Sequence, residues 1–287
     1  MERTNRKQRY WRYTAWVMTL LAYAYLAYRL LTYDDWSSLA VCLRTADARA
    51  WLCGLVALLL MPLNMGLEAW RWRFLMGNRI TMKEACRQVY FSKMAGQLTP
   101  YQLGEYPARG LLMQDTRWSE LLSLGVVGSM TMTLAIVAAG AVPLIIWLGG
   151  DAPHTGWGVI ALAMGAVVSL TVLLPRLLRR WLTLGYRMLS VSLLQSLVRY
   201  LCWCIQLALV LRLFGITGAE VWLVRIPVYY LVITLAPAVS LAEVGVRGAA
   251  AIWVFGSVEA TLAGMLLWTI NSLLPMLIGT FVRKNAK

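Results

Sequence analysis

The strongest constraint on this chain is a set of six long, nearly uncharged apolar runs, at 16–31, 51–67, 121–148, 157–174, 189–213 and 258–282. Crossing roughly 30 Å of hydrocarbon takes about 20 residues of helix, and a bilayer offers the backbone no hydrogen-bond partner outside the helix itself. Runs of this kind predict membrane-spanning helices, and they leave no stretch of chain for a soluble domain. Composition agrees, with 60% hydrophobic and 14% charged residues against roughly 25% charged in an ordinary soluble domain. The expected fold is all-α and integral to the membrane, a single transmembrane domain over 1–287.

The formal charge of +14 does not point to nucleic acid, because the basic residues lie between apolar runs instead of on one polar face. They predict orientation by the positive-inside rule. The tail with Arg3, Arg6, Lys7, Arg9 and Arg12, the stretch Arg71, Arg73, Arg79, Lys83 and Arg87, the segment Arg176, Arg179, Arg180 and Arg187, and the tail Arg283, Lys284 and Lys287 should be cytoplasmic. Asp34, Asp35 and Asp47, then Asp151 and His154, then the turn 214–220 mark basic-poor loops on the other side. A multi-pass protein of the cytoplasmic membrane with both termini inside is expected. Trp11, Trp36, Trp51, Trp70, Trp72, Trp118, Trp147, Trp157, Trp181 and Trp222 fall at or near run ends, where amphipathic rings settle at the headgroup level. The first run is too long for a signal peptide, and no small-residue cleavage site precedes Asp34. The five cysteines form no CxxC and mostly sit in or beside apolar segments, so no disulfide, metal or other cofactor is expected.

Two further apolar stretches are interrupted. The first, 84–114, is broken over 97–104 around Pro100; the second, 219–255, is broken over 237–240 at Pro237. Proline removes a backbone donor and biases the residue before it away from helix. Each stretch should be two arms of about 12 to 16 residues, rising only about 18 to 24 Å, which predicts re-entrant hairpins. With the orientation above, the first hairpin opens to the cytoplasm and the second to the exterior. The fold is thus read as about six transmembrane helices plus two re-entrant hairpins, arranged as inverted repeats over approximately 51–148 and 189–282. Inverted repeats with broken helices meeting near the midplane are a transporter architecture.

Charge marks both breaks. Glu105 and Arg109 follow Pro100, and Glu243 and Arg247 follow Pro237, so each break leads into Glu-x-x-x-Arg. On a helix this spacing sets acid and base one turn apart on one face. Either each pair is a structural salt bridge, or it handles a ligand. Ionisable groups in hydrocarbon cost on the order of 2.5–3.5 kcal/mol each on insertion scales, which favours a functional role over packing. Arg199, well inside its run, is read the same way. Gln97 opens the first break, and Lys93 precedes it by one turn. For Glu68 and Lys93 a snorkelling interfacial position is as good an explanation, and for Arg225 it is the better one.

Glu68-Ala69-Trp70-Arg71-Trp72, with Pro100 through Gly104-Glu105 and Arg109, resembles the first signature of the flippase-like membrane family that contains the transmembrane flippase region of lysylphosphatidylglycerol synthases. Residues 237–250, with Gly245-Val246-Arg247, resemble its second signature, and the likeness extends over essentially the whole chain. Glu243 precedes Gly-Val-Arg where the family pattern has glycines, and Gly248 follows where it has an acid, so the headgroup is not carried over. With the chain at Lys287, the soluble aminoacyl-transferase domain of bifunctional members is not expected, nor is lysyl transfer.

A flippase or transporter of a phosphate-bearing amphiphilic lipid is the leading expectation, with Glu105, Arg109, Glu243, Arg247, Arg199, Lys93 and Gln97 as substrate-binding residues. Arginine offers a planar fork of donors matched to phosphate, and helix N-termini near Gly104 and Glu243 add N–H groups. A membrane enzyme acting on a lipid headgroup is an alternative, although the sole histidine, His154, lies in a short loop and no nucleophile stands near a base. A non-transporting membrane subunit is another. Homo-oligomerisation is compatible with either class.

Overall fold

The computed structural model describes residues 46–97, 104–113, 118–148, 186–236 and 243–284. The runs at 16–31 and 157–174, and the two proline breaks themselves, lie outside the described residues. In chain order the helices are α1 (Ala48–Leu75), α2 (Met82–Gln97), α3 (Glu105–Gly110), α4 (Trp118–Leu148), α5 (Tyr186–Leu213), α6 (Ile226–Leu235), α7 (Glu243–Phe255), α8 (Val258–Trp268) and α9 (Leu274–Lys284). Wide π turns over Val221–Arg225 and Thr269–Leu273 lead into α6 and join α8 to α9. Four stretches among the described residues are long and apolar enough to cross a bilayer: Ala48–Leu75, Glu120–Leu148, Arg187–Leu213 and Val258–Phe281. Leu52, Leu55, Leu59 and Leu63 on α1, and Val126, Ile145 and Leu148 on α4, are exposed. Apolar side chains can face outward at no cost only where the surroundings are hydrocarbon.

Local signals set the helix ends. Asp47 caps α1, its carboxylate accepting from the Ala50 amide at 2.7 Å. Gly77 and Asn78 (φ 64° and 58°) end it in the left-handed region, their amides reaching back to the carbonyls of Phe74 and Arg73 at 2.9 Å each. Thr81 and Glu84 then open α2 as a reciprocal capping box. The Thr81 amide donates to Glu84 Oε2 at 2.8 Å and the Glu84 amide to Thr81 Oγ1 at 3.2 Å. The Thr81 amide, helped by its hydroxyl, holds the Glu84 carboxyl below the usual carboxylate range. Between α7 and α8 the reversal takes only Gly256, at φ 76°, and Ser257, whose Oγ accepts from the Ala260 amide at 3.2 Å.

The first hairpin departs from expectation in its second arm. Among the described residues it is helical only over Glu105–Gly110, a rise of about 9 Å. Pro107 is tolerated in the first turn, where its missing N–H has no helical partner. The second interrupted stretch is helical on both sides of its proline, over α6 and α7.

α1 lies along α5, and the pairs they make give the direction. Arg71 meets Ser196, Glu68 meets Arg199, Asn64 meets Trp203, and the Ala57 carbonyl meets Gln206. One series falls as the other rises, so the helices are antiparallel. α2 packs on α9 and α3, while α6 packs on α4 and α7. Two apolar clusters result. One gathers Ala57, Leu207, Leu211, Ile226, Tyr229 and Ala263; the other gathers Met65, Trp72, Val89, Leu121, Val127 and Leu189. Between them lies a belt of buried polar side chains.

Candidate functional site

The belt is drawn from stripes on two helices. Asn64, Glu68 and Arg71 on α1, and Ser192, Ser196, Arg199, Trp203 and Gln206 on α5, recur at alternating steps of three and four. That spacing lines one face of a helix. Where the two faces meet, Glu68 is 3% exposed and serves three guanidinium groups. Its Oε2 accepts from Arg71 at 2.6 Å and from Arg199 at 2.7 Å, and its Oε1 accepts from Arg109 at 2.7 Å. Arg71 also donates to the Gly128 carbonyl and to Ser196 Oγ, both at 2.9 Å. Arg199 donates through Nε to Asn64 Oδ1 at 3.0 Å and lies 4.9 Å from the Trp203 ring centroid. Arg109 is fully buried, with its guanidinium carbon 4.8 Å from both the Trp72 and Tyr106 ring centroids. Desolvated cations over aromatic faces gain about 2 kcal/mol, which offsets part of the burial cost.

On the hairpin side Lys93 of α2 donates to Glu105 Oε1 of α3 at 2.5 Å. Small residues make the approach possible. A Cβ on Gly96 would stand 3.0 Å from Glu105 Oε1, and one on Gly128 would stand 3.3 Å from the Tyr106 hydroxyl oxygen.

A cavity of about 370 Å³ opens beside this belt, within the range of small-ligand pockets, about 300–1,000 Å³. Glu105 and Tyr106, just past the first break, border it, as do Thr234 and Ala236, just before the second. Both interrupted helices therefore reach one cavity. Arg71, Lys93, Arg199 and Arg247 stand on its wall with Glu68 and Glu105. Among the described residues no three His, Cys, Asp or Glu side chains gather as a metal site would need.

Of the residues singled out in the sequence, Glu105, Arg109, Arg199, Lys93 and Arg247 converge on the belt and cavity. Gln97 is the last residue of α2 and Glu243 the first of α7, and their side chains lie outside what is described. The pairing differs from expectation. Glu105 and Arg109 stand 3.5 Å apart, but each has a nearer partner on another helix, Lys93 for the acid and Glu68 for the base. Arg199, which had no acid assigned to it, pairs with Glu68 at 2.7 Å. Arg71 is not a solvent-facing topology marker, being 2% exposed, because α1 continues past the apolar run to Leu75 and turns Arg71 into the belt. Arg225, expected at an interface, pairs with the exposed Glu220 at 2.8 Å. Asn64, Trp203 and the hub role of Glu68 escaped the sequence; the three-four stripe of polar residues along α1 and α5 is the signal that could have revealed them.

Over residues 16–279 the sequence matches the family described as Lysylphosphatidylglycerol synthase TM region. The chain belongs to this family. Glu68, Arg71, Trp72, Glu105 and Arg109, on which the first part of the resemblance rests, are brought together around the belt. Membership in the lysylphosphatidylglycerol synthase TM region family, together with the four long apolar helices, makes this a multi-pass membrane protein of a lipid-related family. No curated protein matches the chain.

Proposed function

We propose that this protein moves a phosphate-bearing amphiphilic lipid across the cytoplasmic membrane, with the headgroup carried in the cavity and the tails left in the bilayer. The observation that carries this is the meeting of the two broken helices at a single cation-walled cavity. Guanidinium groups suit phosphate because they stay charged and present paired donors. The acids have two roles. Glu68 fixes three arginines in place, and Glu105 holds Lys93 at the wall.

An inverted repeat of the two halves would support passage from one side to the other. Exchanging the halves 51–148 and 189–282 maps α1 onto α5, α2 with α3 onto α6 with α7, and α4 onto α8 and α9. Two contacts fit that exchange: α1 lies on α5, and α2 on α9 answers α6 on α4. Each hairpin would then be reached from its own face, and rocking of the halves would expose the cavity alternately. No covalent step is assigned to the protein.

The test is lipid movement by the purified full chain in liposomes, followed by reduction of headgroup-labelled lipid in the outer leaflet. Reduction should continue past the outer-leaflet fraction in proteoliposomes, and Arg199→Gln should slow it by about tenfold, the kinetic equivalent of one lost charge-assisted contact. Reduction that stops at the outer leaflet in well-folded wild type would overturn transport, and headgroup turnover in its place would establish an enzyme.

A further inference from the structure

The geometry points to a phosphate monoester dianion as the group that the cavity binds, in preference to the singly charged phosphodiester of most bilayer lipids. This rests on the lipid-transport reading and narrows its substrate. In the belt Arg71, Lys93, Arg109 and Arg199 face Glu68 and Glu105, and all six are at most 8% exposed. Four cations against two acids leave two positive charges uncompensated among the described side chains. Arg247, also on the cavity wall, has an interaction of its own and stands outside that count. Arg71 Nε is a buried donor without a hydrogen-bond partner among the described residues. Arg71, Lys93 and Arg199 reach one cavity from three helices, α1, α2 and α5.

Uncompensated cations at membrane depth are costly, and a ligand that supplies both missing charges at once removes that cost. A phosphate monoester concentrates two negative charges on three terminal oxygens, enough for three cationic side chains. A phosphodiester offers one charge on two oxygens. The same dianion can arrive on a lipid or as free phosphate, and the two sources are separable by experiment.

The purified full chain in neutral detergent is titrated with dioleoyl-phosphatidic acid, dioleoyl-phosphatidylglycerol, dioleoyl-phosphatidylcholine and sodium phosphate, at about pH 8, above the second ionisation of a monoester near 6. Phosphatidic acid should bind about tenfold more tightly than phosphatidylglycerol. Lys93→Gln, which leaves one excess charge, should narrow that ratio, and Glu105→Gln, which leaves three, should widen it, so the pair remains informative if either variant misfolds. Sodium phosphate matching phosphatidic acid in affinity would keep the dianion and remove the lipid as its carrier. Phosphatidylglycerol binding as well as phosphatidic acid would overturn the dianion while leaving phospholipid transport standing. Phosphatidylcholine binding equal to both would overturn the phosphate-lipid reading itself.

Discussion

At Glu68 a single carboxylate answers Arg71, Arg109 and Arg199, each within 2.7 Å. Removing its charge strands three buried guanidinium groups, and breaking a buried pair from one side costs about 3–5 kcal/mol. Glu68→Gln should therefore lower the thermal unfolding midpoint more than Glu105→Gln, whose partner Lys93 lies on the cavity wall and can turn toward water. Thermal denaturation of the two variants in the same detergent measures this, and equal losses would show that Glu68 is not the hub. The sequence made Glu105, Arg109, Arg199 and Lys93 visible because charge is rare in apolar runs. It did not disclose who pairs with whom. The four-residue spacing says that Glu105 and Arg109 can meet on one helix, but Glu68 and Lys93 come closer from two others, and only the packing of α1 and α2 against α3 decides that competition.

Among the elements, the close contact of α2 with α3 depends on the missing side chain at Gly96. In an ordinary helix a glycine-to-alanine change gains up to about 1 kcal/mol of propensity. Here the added methyl would overlap Glu105 Cγ and stand 3.0 Å from Oε1 and 3.2 Å from Cδ, so the Glu105 side chain must move. Gly96→Ala should thus cost about 1–3 kcal/mol of stability, as overpacking a tight contact does, and cut lipid movement by pushing Glu105 off Lys93. Unchanged transport in a stable Gly96→Ala protein would mean that the Lys93–Glu105 pair has no part in the cycle. The helical stretches on either side of Pro100 and Pro237 were legible in the sequence, whereas the turn between α1 and α2, marked by Gly77-Asn78 and the Thr81-Glu84 box, was passed over. The brevity of α3 was not legible, because apolar character continues past Gly110 and hydropathy alone carries no stop signal there.

For the molecule as a whole, the antiparallel packing of α1 on α5 gathers charge at its two ends. The turn after α1, with Arg79, and the first turns of α2, with Lys83 and Arg87, share an end with the start of α5 at Arg187, and Arg79 pairs with Glu120 at the start of α4 at 3.2 Å. Asp47 at the head of α1 shares the other face with the turn after α5, where Leu213 packs near Gly54 and Thr217 is exposed. At that other end Arg49, Arg212 and Arg225 stand with Asp47, Glu220 and Glu259, so the basic excess lies at the first end, the one that the positive-inside rule puts in the cytoplasm. Composition and run length were enough to read an all-helical membrane protein, because hydrocarbon imposes long apolar helices on any chain that crosses it. In a cysteine-free background, Thr217→Cys should react with a membrane-impermeant maleimide on intact cells, and Lys83→Cys only after permeabilisation. The opposite pattern would invert the protein, and with it the faces from which the two hairpins are reached. Because the cavity is bordered by residues from both breaks, inversion would leave the site intact and reverse only which hairpin meets the cytoplasmic leaflet. Labelling therefore tests direction independently of whether lipid moves at all.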